Sequence, residues 1–166
     1  MAAFALIAGI LFQESTRKVT YEAVGAALHW EAVYHLALLH GHSFIIGVLI
    51  PVAILVAMQF SLMMGGAIIS EKSLKWGVLL YQIGVVLSVL LMLYKGYHYV
   101  LSVRKVLSSG MGQLDIAQIQ HSFFGGQELL KQVVYGVSHV AMSAGIIVLL
   151  VGIWRSLPSK SSLQSN

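Results

Sequence analysis

The sequence predicts an all-α fold, an integral membrane four-helix bundle, and three observations carry that reading. Of the 166 residues, 58% are hydrophobic and only 10% are charged, where a soluble domain has about 25% charged residues. Residues 32 to 70 contain no Asp, Glu, Lys or Arg at all. Apolar runs recur at lengths close to the ~20 residues that a bilayer-crossing helix needs.

The first element, roughly 2–15, is "AAFALIAGILFQES". It has no basic stretch before it and no good cleavage site after it, so it reads as a retained helix, not a signal peptide. It is short, and must tilt or lean on its neighbours. Residues 16–33 form a polar loop with room for a short helix on the membrane surface. The second span covers 34–58, with a kink expected at Pro51. A neighbouring helix can satisfy the carbonyl that proline leaves free. A tight Gly/Ser/Lys turn at 65–75 leads into the third span, 76–100, which Trp76 anchors at the interface.

The loop 105–130 contains "GQLDIAQIQHSFF", an interfacial-helix pattern. The fourth span, 132–154, ends on Trp154. Residues 156–166 are Ser-rich and expected to be disordered. Gly47, Gly84, Gly96, Gly136 and Gly145 offer small surfaces for close helix approach.

Orientation is weakly encoded. Arg17, Lys18, Arg104, Lys105 and Lys131 fall on one side, and Lys72, Lys75, Arg155 and Lys160 on the other. Most acidic residues lie with the first group, and both termini are therefore placed on the cytoplasmic side.

The chain has no cysteine, which removes disulfides, thiolate metal sites, iron–sulfur clusters and covalent haem attachment. The net charge of +4 is scattered and lacks the clustered Lys/Arg of a nucleic-acid surface. No nucleophilic triad, phosphate-binding glycine loop or pair of membrane carboxylates is present.

What remains is histidine, concentrated in "HLALLHGHSF" (35–44) and repeated in "GVSHVAMSAG" (136–145). A helix turns about 100° and rises about 1.5 Å per residue. His35 and His42 therefore share a face, about 10 Å apart. His40 and His42 lie about 200° apart and point to opposite sides, which suits two tasks and not one chelate. His42 lies about eight residues into the second span and His139 about seven into the fourth, which runs in the same direction. Both reach a similar depth. The third span ends on that side with "YKGYHYV", bringing Lys95, Tyr97 and His98 near. His29 and His121 read as wet loop side chains, and Met142 as packing in preference to an axial ligand.

Ionisable groups inside spans are rare and read by default as functional. Neutral imidazoles facing each other between apolar helices suit haem iron. Gly41, Ser43, Gly136, Ser138 and Gly145 leave room for a flat ring. Arg17, Lys18, Lys95, Arg104 and the Tyr97 and Tyr99 hydroxyls are placed to meet its propionates. Zinc or copper would need further converging ligands.

The stretch "LLHGHSFIIG" resembles the helix of haem–copper oxidases and nitric oxide reductases that holds two haems on opposite faces. That resemblance implies that His40 and His42 each serve one haem. The copper-binding histidine trio and the twelve-span architecture of that family are not present.

A second resemblance covers residues 2–154: "MAAFALIAGILF", "HLALLHGHSFIIG", "VLLYQIGVVLSVLLMLYKGYHYV" and "VSHVAMSAGIIVLL". In these the chain resembles a family of small four-span bacterial membrane proteins of unknown function. It implies a bacterial inner-membrane location.

The sequence thus leads to one or two b-type haems, with His42 and His139 as the axial pair and His40 as ligand or partner for a second haem. His98, Lys95 and Arg104 contribute to the cofactor site. The role expected is electron transfer, or service to a respiratory oxidase as small subunit or assembly factor, with respiratory subunits or a second copy as partners in the bilayer. Two alternatives stand beside it: an accessory subunit whose histidines only join helices, and a metal-ion binder or transporter using His35 and His42.

Overall fold

The computed structural model describes residues 2–18, 26–109 and 115–158. Residues 19–25 of the expected 16–33 loop and the tail beyond 158 lie outside the described residues; the rest of that expected loop, 16–18 and 26–33, is helical. Helix α1 covers Ala2–Lys18. Helix α2 covers Ala26–Phe44 and runs through a π-helical turn, Ile45–Leu49, into α3, Ile50–Met63. Helix α4 covers Glu71–Ser109, α5 Ile116–His121 and α6 Glu128–Ser156, with a 3-10 turn at Phe123–Gly126 between the last two.

Three stretches are long and apolar enough to cross a membrane: Val33–Met63, Glu71–Ser109 and Glu128–Ser156. Ala2–Glu14 is apolar but shorter. The helices run past the expected spans. The 39 residues of α4 reach about 58 Å, nearly twice the hydrocarbon thickness of a bilayer. Arg104 and Lys105 therefore ride on a helix and not on a loop.

The order of packing follows the order of the chain. α1 lies on α2, α2 on α4, and α4 on α6, the most extensive contact of the four-helix set. α3, the lower half of the second long helix, also reaches α6. Leu36, Leu39, Ile46, Tyr81, Val85, Val89, Tyr99 and Val103 form the shared core.

Glycines set the α4–α6 approach. A Cβ at Gly84 would strike the Met142 backbone, and one at Gly145 would strike the Tyr81 backbone and the Gly77 carbonyl. On the other flank, a Cβ at Gly96 would strike Leu36. Gly136, expected to serve the same purpose, has open space around it.

At one end the connection after α3 is fastened to the end of α6. Ala67 N–H donates to the Ser156 carbonyl at 2.8 Å, and Ser61 and Ser156 share a hydrogen bond at 3.1 Å. At the other end Asp115 caps α5, accepting from Ala117 N–H at 2.9 Å. Phe124, with φ of 53°, and two positive-φ glycines then turn the chain into α6. The buried Phe123 wedges beside Tyr94, His98 and Tyr99.

Pro51 determines the middle of the second long helix. Ile50 N–H donates to the Ile45 carbonyl, five residues back. In the same register the Ile46 carbonyl would await the N–H of residue 51, which proline lacks. The Tyr81 hydroxyl of α4 donates to that carbonyl instead. The expected help from a neighbouring helix thus has a named donor.

Tyr81→Phe is expected to destabilise the fold by about 1–3 kcal/mol, since it leaves a buried carbonyl unpaired. Pro51→Ala restores an N–H in the right register. In that background the cost of Tyr81→Phe is expected to shrink, as a double-mutant cycle of detergent unfolding would record.

Candidate functional site

All the described histidines fall in one half of the fold: along α2, in the last part of α4, in α5 and in the first half of α6. Each has its own surroundings.

The His40 ring lies against Gly9 of α1, about where a Cβ would sit 3.1 Å from Nδ1. Nδ1 is 2.6 Å from the Ala5 carbonyl. A carbonyl only accepts, so in the neutral ring Nδ1 carries the proton and Nε2 the lone pair. His42 does the same within its own helix, Nδ1 donating to the Leu38 carbonyl at 2.9 Å. His139 Nδ1 donates to the Tyr135 carbonyl at 2.8 Å and lies 3.3 Å from Ser138 Oγ. Three intrahelical or interhelical carbonyls thus fix one tautomer in all three rings.

None of the three rings is buried; all are exposed at the bundle surface. Their levels can be compared through Tyr81, which bonds Ile46 of the second long helix and packs against Gly145 of α6. His42 stands four residues before Ile46 and His139 six before Gly145, so about 6 Å and 9 Å to the same side. The two lie within about one helical turn of a common level. α1 covers the flank of α2 that bears His40, and His42 projects from the flank about 200° away. His139 shares a flank with Met142 and Ile146, which pack against the shared core. Apart from the adjoining residues and backbone of its own helix, no atom lies within 4 Å of where a Cβ would stand at Gly41 or Gly136, so space is open beside both imidazoles.

His40, His42 and His139 do not converge on one ion. Among the described residues no group of three or more His, Cys, Asp or Glu side chains is placed to hold a metal. His35, two turns from His42, packs its ring on Tyr99 with centroids 4.8 Å apart.

The remaining predicted contacts are spread along α4. Lys95 is half-buried, its ammonium 5.9 Å from the Phe123 ring centroid. His98 Nε2 lies 2.7 Å from Ser122 Oγ. Arg104 and Tyr97 are exposed, and Tyr99 is buried. Arg17 pairs with Glu14 at 3.1 Å, and the Lys18 side chain lies outside the described residues. His121 is exposed, 3.4 Å from Glu128, as a wet side chain would be, but it closes α5 and does not lie in a loop. His29 departs from that reading: α2 begins before it, and the ring is buried. Met142 packs at Gly84.

Two residues that fix how these helices meet were not legible in the sequence. Tyr81 could have been found only as a hydroxyl on the span facing Pro51. Phe123 was signalled weakly by an aromatic pair ahead of Gly-Gly.

The fold and these side chains define a class: an all-helical chain of long apolar helices carrying tautomer-fixed, outward-facing imidazoles in one half. The chain belongs to the family described as "Protein of unknown function (DUF2871)", whose profile matches residues 1–156. No curated protein and no solved structure matches it, and nothing in these comparisons supports the likeness to the oxidase helix.

Proposed function

We propose that this chain is an integral membrane protein that binds b-type haem, with His42 and His139 as axial ligands through Nε2. His40 is then the ligand of a second haem or the contact to an adjacent helix. The membrane reading rests on the three long apolar helices and on large side chains such as Leu55, Val56 and Phe60 left more than 60% exposed. Such a surface suits lipid better than water.

One observation carries the haem reading. In both His42 and His139 the Nδ1–H is spent on a backbone carbonyl. Metal-ligating histidines are oriented in this way, with the second nitrogen left basic and free. The matched level and the open space at Gly41 and Gly136 favour a flat occupant over a compact ion. Lys95 and His98 follow on α4 about one to three turns beyond that level, toward the propionates, with Arg104 further along the same helix. Bound haem supplies one-electron chemistry, which suits electron transfer or a small subunit or assembly factor of a respiratory oxidase.

The test is the absorption spectrum of protein purified from membranes. A Soret band, sharp reduced α and β bands, and one or two haems per chain by haemochrome assay are expected. A colourless protein that gives no Soret shift on titration with haemin overturns the reading.

A second reading has its own observation. His40 is committed to α1 through Gly9 and Ala5, as a histidine that only joins helices would be. An accessory subunit without cofactor follows if His42 and His139 serve partner helices in the same way.

A further inference from the structure

The π-helical turn and Pro51 leave a groove between the second long helix and α4. It encloses about 520 Å³ and is lined by Ile46, Pro51, Leu55, Tyr81, Gln82 and Val86, among others. That volume falls within the range of pockets that hold small organic ligands. Nearly all of the lining is apolar. The polar exceptions are the Tyr81 hydroxyl and the Gln82 amide.

The Tyr81 proton is committed to the Ile46 carbonyl, which leaves its oxygen only as an acceptor. Gln82 is exposed on the groove side of α4. Its amide offers two donors and an acceptor.

Depth selects the ligand. Gln82 stands six residues beyond Trp76 and eleven beyond the start of α4 at Glu71, about 9 Å and 16 Å along the helix. The hydrocarbon half-thickness of a bilayer is about 15 Å, so the amide lies below the level of phospholipid headgroups. An acyl chain reaching this depth has nothing to offer it. A neutral ring carrying carbonyl oxygens on an apolar body does.

We infer that the groove between the π-turn of the second long helix and α4 binds a membrane-dissolved quinone. The Gln82 amide donates to a ring carbonyl, the Tyr81 oxygen accepts from a hydroxyl when the ring is reduced, and the apolar walls hold the tail. π-Helical turns recur at functional sites in helices, and here the turn is what opens the space. The inference rests on the membrane placement proposed above and does not depend on haem.

The test uses the full chain in phospholipid nanodiscs, with decylubiquinone as the probe and quenching of tryptophan fluorescence as the readout. Retention in carbonate-washed membranes is measured alongside, so failure of the membrane placement shows itself separately as release into the wash. Saturable binding is expected in the native chain. At least tenfold weaker binding is expected in Gln82→Leu, which removes the amide, and in Val86→Phe, which narrows the groove. Leu90→Phe, one turn further along the lipid-facing surface, should bind as the native chain does.

Far-UV circular dichroism checks that each variant is folded. Equal affinity in Gln82→Leu and Val86→Phe overturns the inference. So does absence of saturable binding in nanodiscs, which assigns the groove to acyl chains. A Gln82→Cys chain that forms disulfide dimers in native membranes assigns it to a second copy and overturns it too.

Discussion

A His139→Ala chain purified from membranes is expected to lose its Soret band or to shift it, while staying folded. The ring is exposed and its partners, the Tyr135 carbonyl and the Ser138 hydroxyl, lie in its own helix. Removing it therefore opens no core cavity, and the effect on stability is expected to stay within about 0.5 kcal/mol. If His139 is the axial ligand proposed above, the large effect is on the haem, because an axial imidazole would be lost outright. His42→Ala should do the same by the same logic, leaving its helix intact. His40→Ala should differ: it unseats α1 from α2, and both the spectrum and the stability should respond. An unaltered spectrum in His139→Ala would clear that residue of ligation.

The second large effect concerns packing. Gly145→Val is expected to destabilise the bundle by about 3 kcal/mol. The added side chain would meet the Tyr81 backbone and the Gly77 carbonyl, neither of which can move without parting α4 from α6. Gly136→Val, nine residues earlier on the same helix, meets open space and should leave unfolding in detergent almost unchanged. If haem occupies the space beside His139, that second substitution should weaken haem retention although the protein stays stable. Equal stability losses in the two variants would contradict the packing described.

The pair Gly136 and Gly145 also marks the boundary of what the sequence could tell. Both lie in "YGVSHVAMSAG", and both read as close-approach positions. Which one meets a neighbour depends on how α6 is rotated about its axis, and only the interlocking of α4 and α6 determines that. The helices themselves were readable because apolar length and the absence of charge from 32 to 70 leave few other choices. Pro51 announced a freed carbonyl, but the donor was unreadable because Tyr81 is thirty residues away and is aligned by the bundle.

The histidines divide in the same way. Their shared half of the molecule and matched depth follow from counting residues along parallel helices. Their outward direction does not, because it reflects which flank α1 has already taken. His29 was misread because the loop expected around it is the start of α2.

The π-turn has an effect on the second long helix beyond the groove it opens. Leu39, Ser43, Ile46, Ile50, Ile54, Ala57 and Ser61 are spaced as a single seam on an unbroken helix. Five residues sharing one slackened turn cost the seam nearly one residue of rotation, roughly 100°. The lower half is thereby wrung about its axis relative to the upper. Above Ile45 the seam addresses α1 and α4; below Leu49 its last member, Ser61, addresses α6 at Ser156. One helix can thus change neighbours partway across without bending away from either, and a single-residue deletion between Ile45 and Leu49 would leave its two halves competing for the same side.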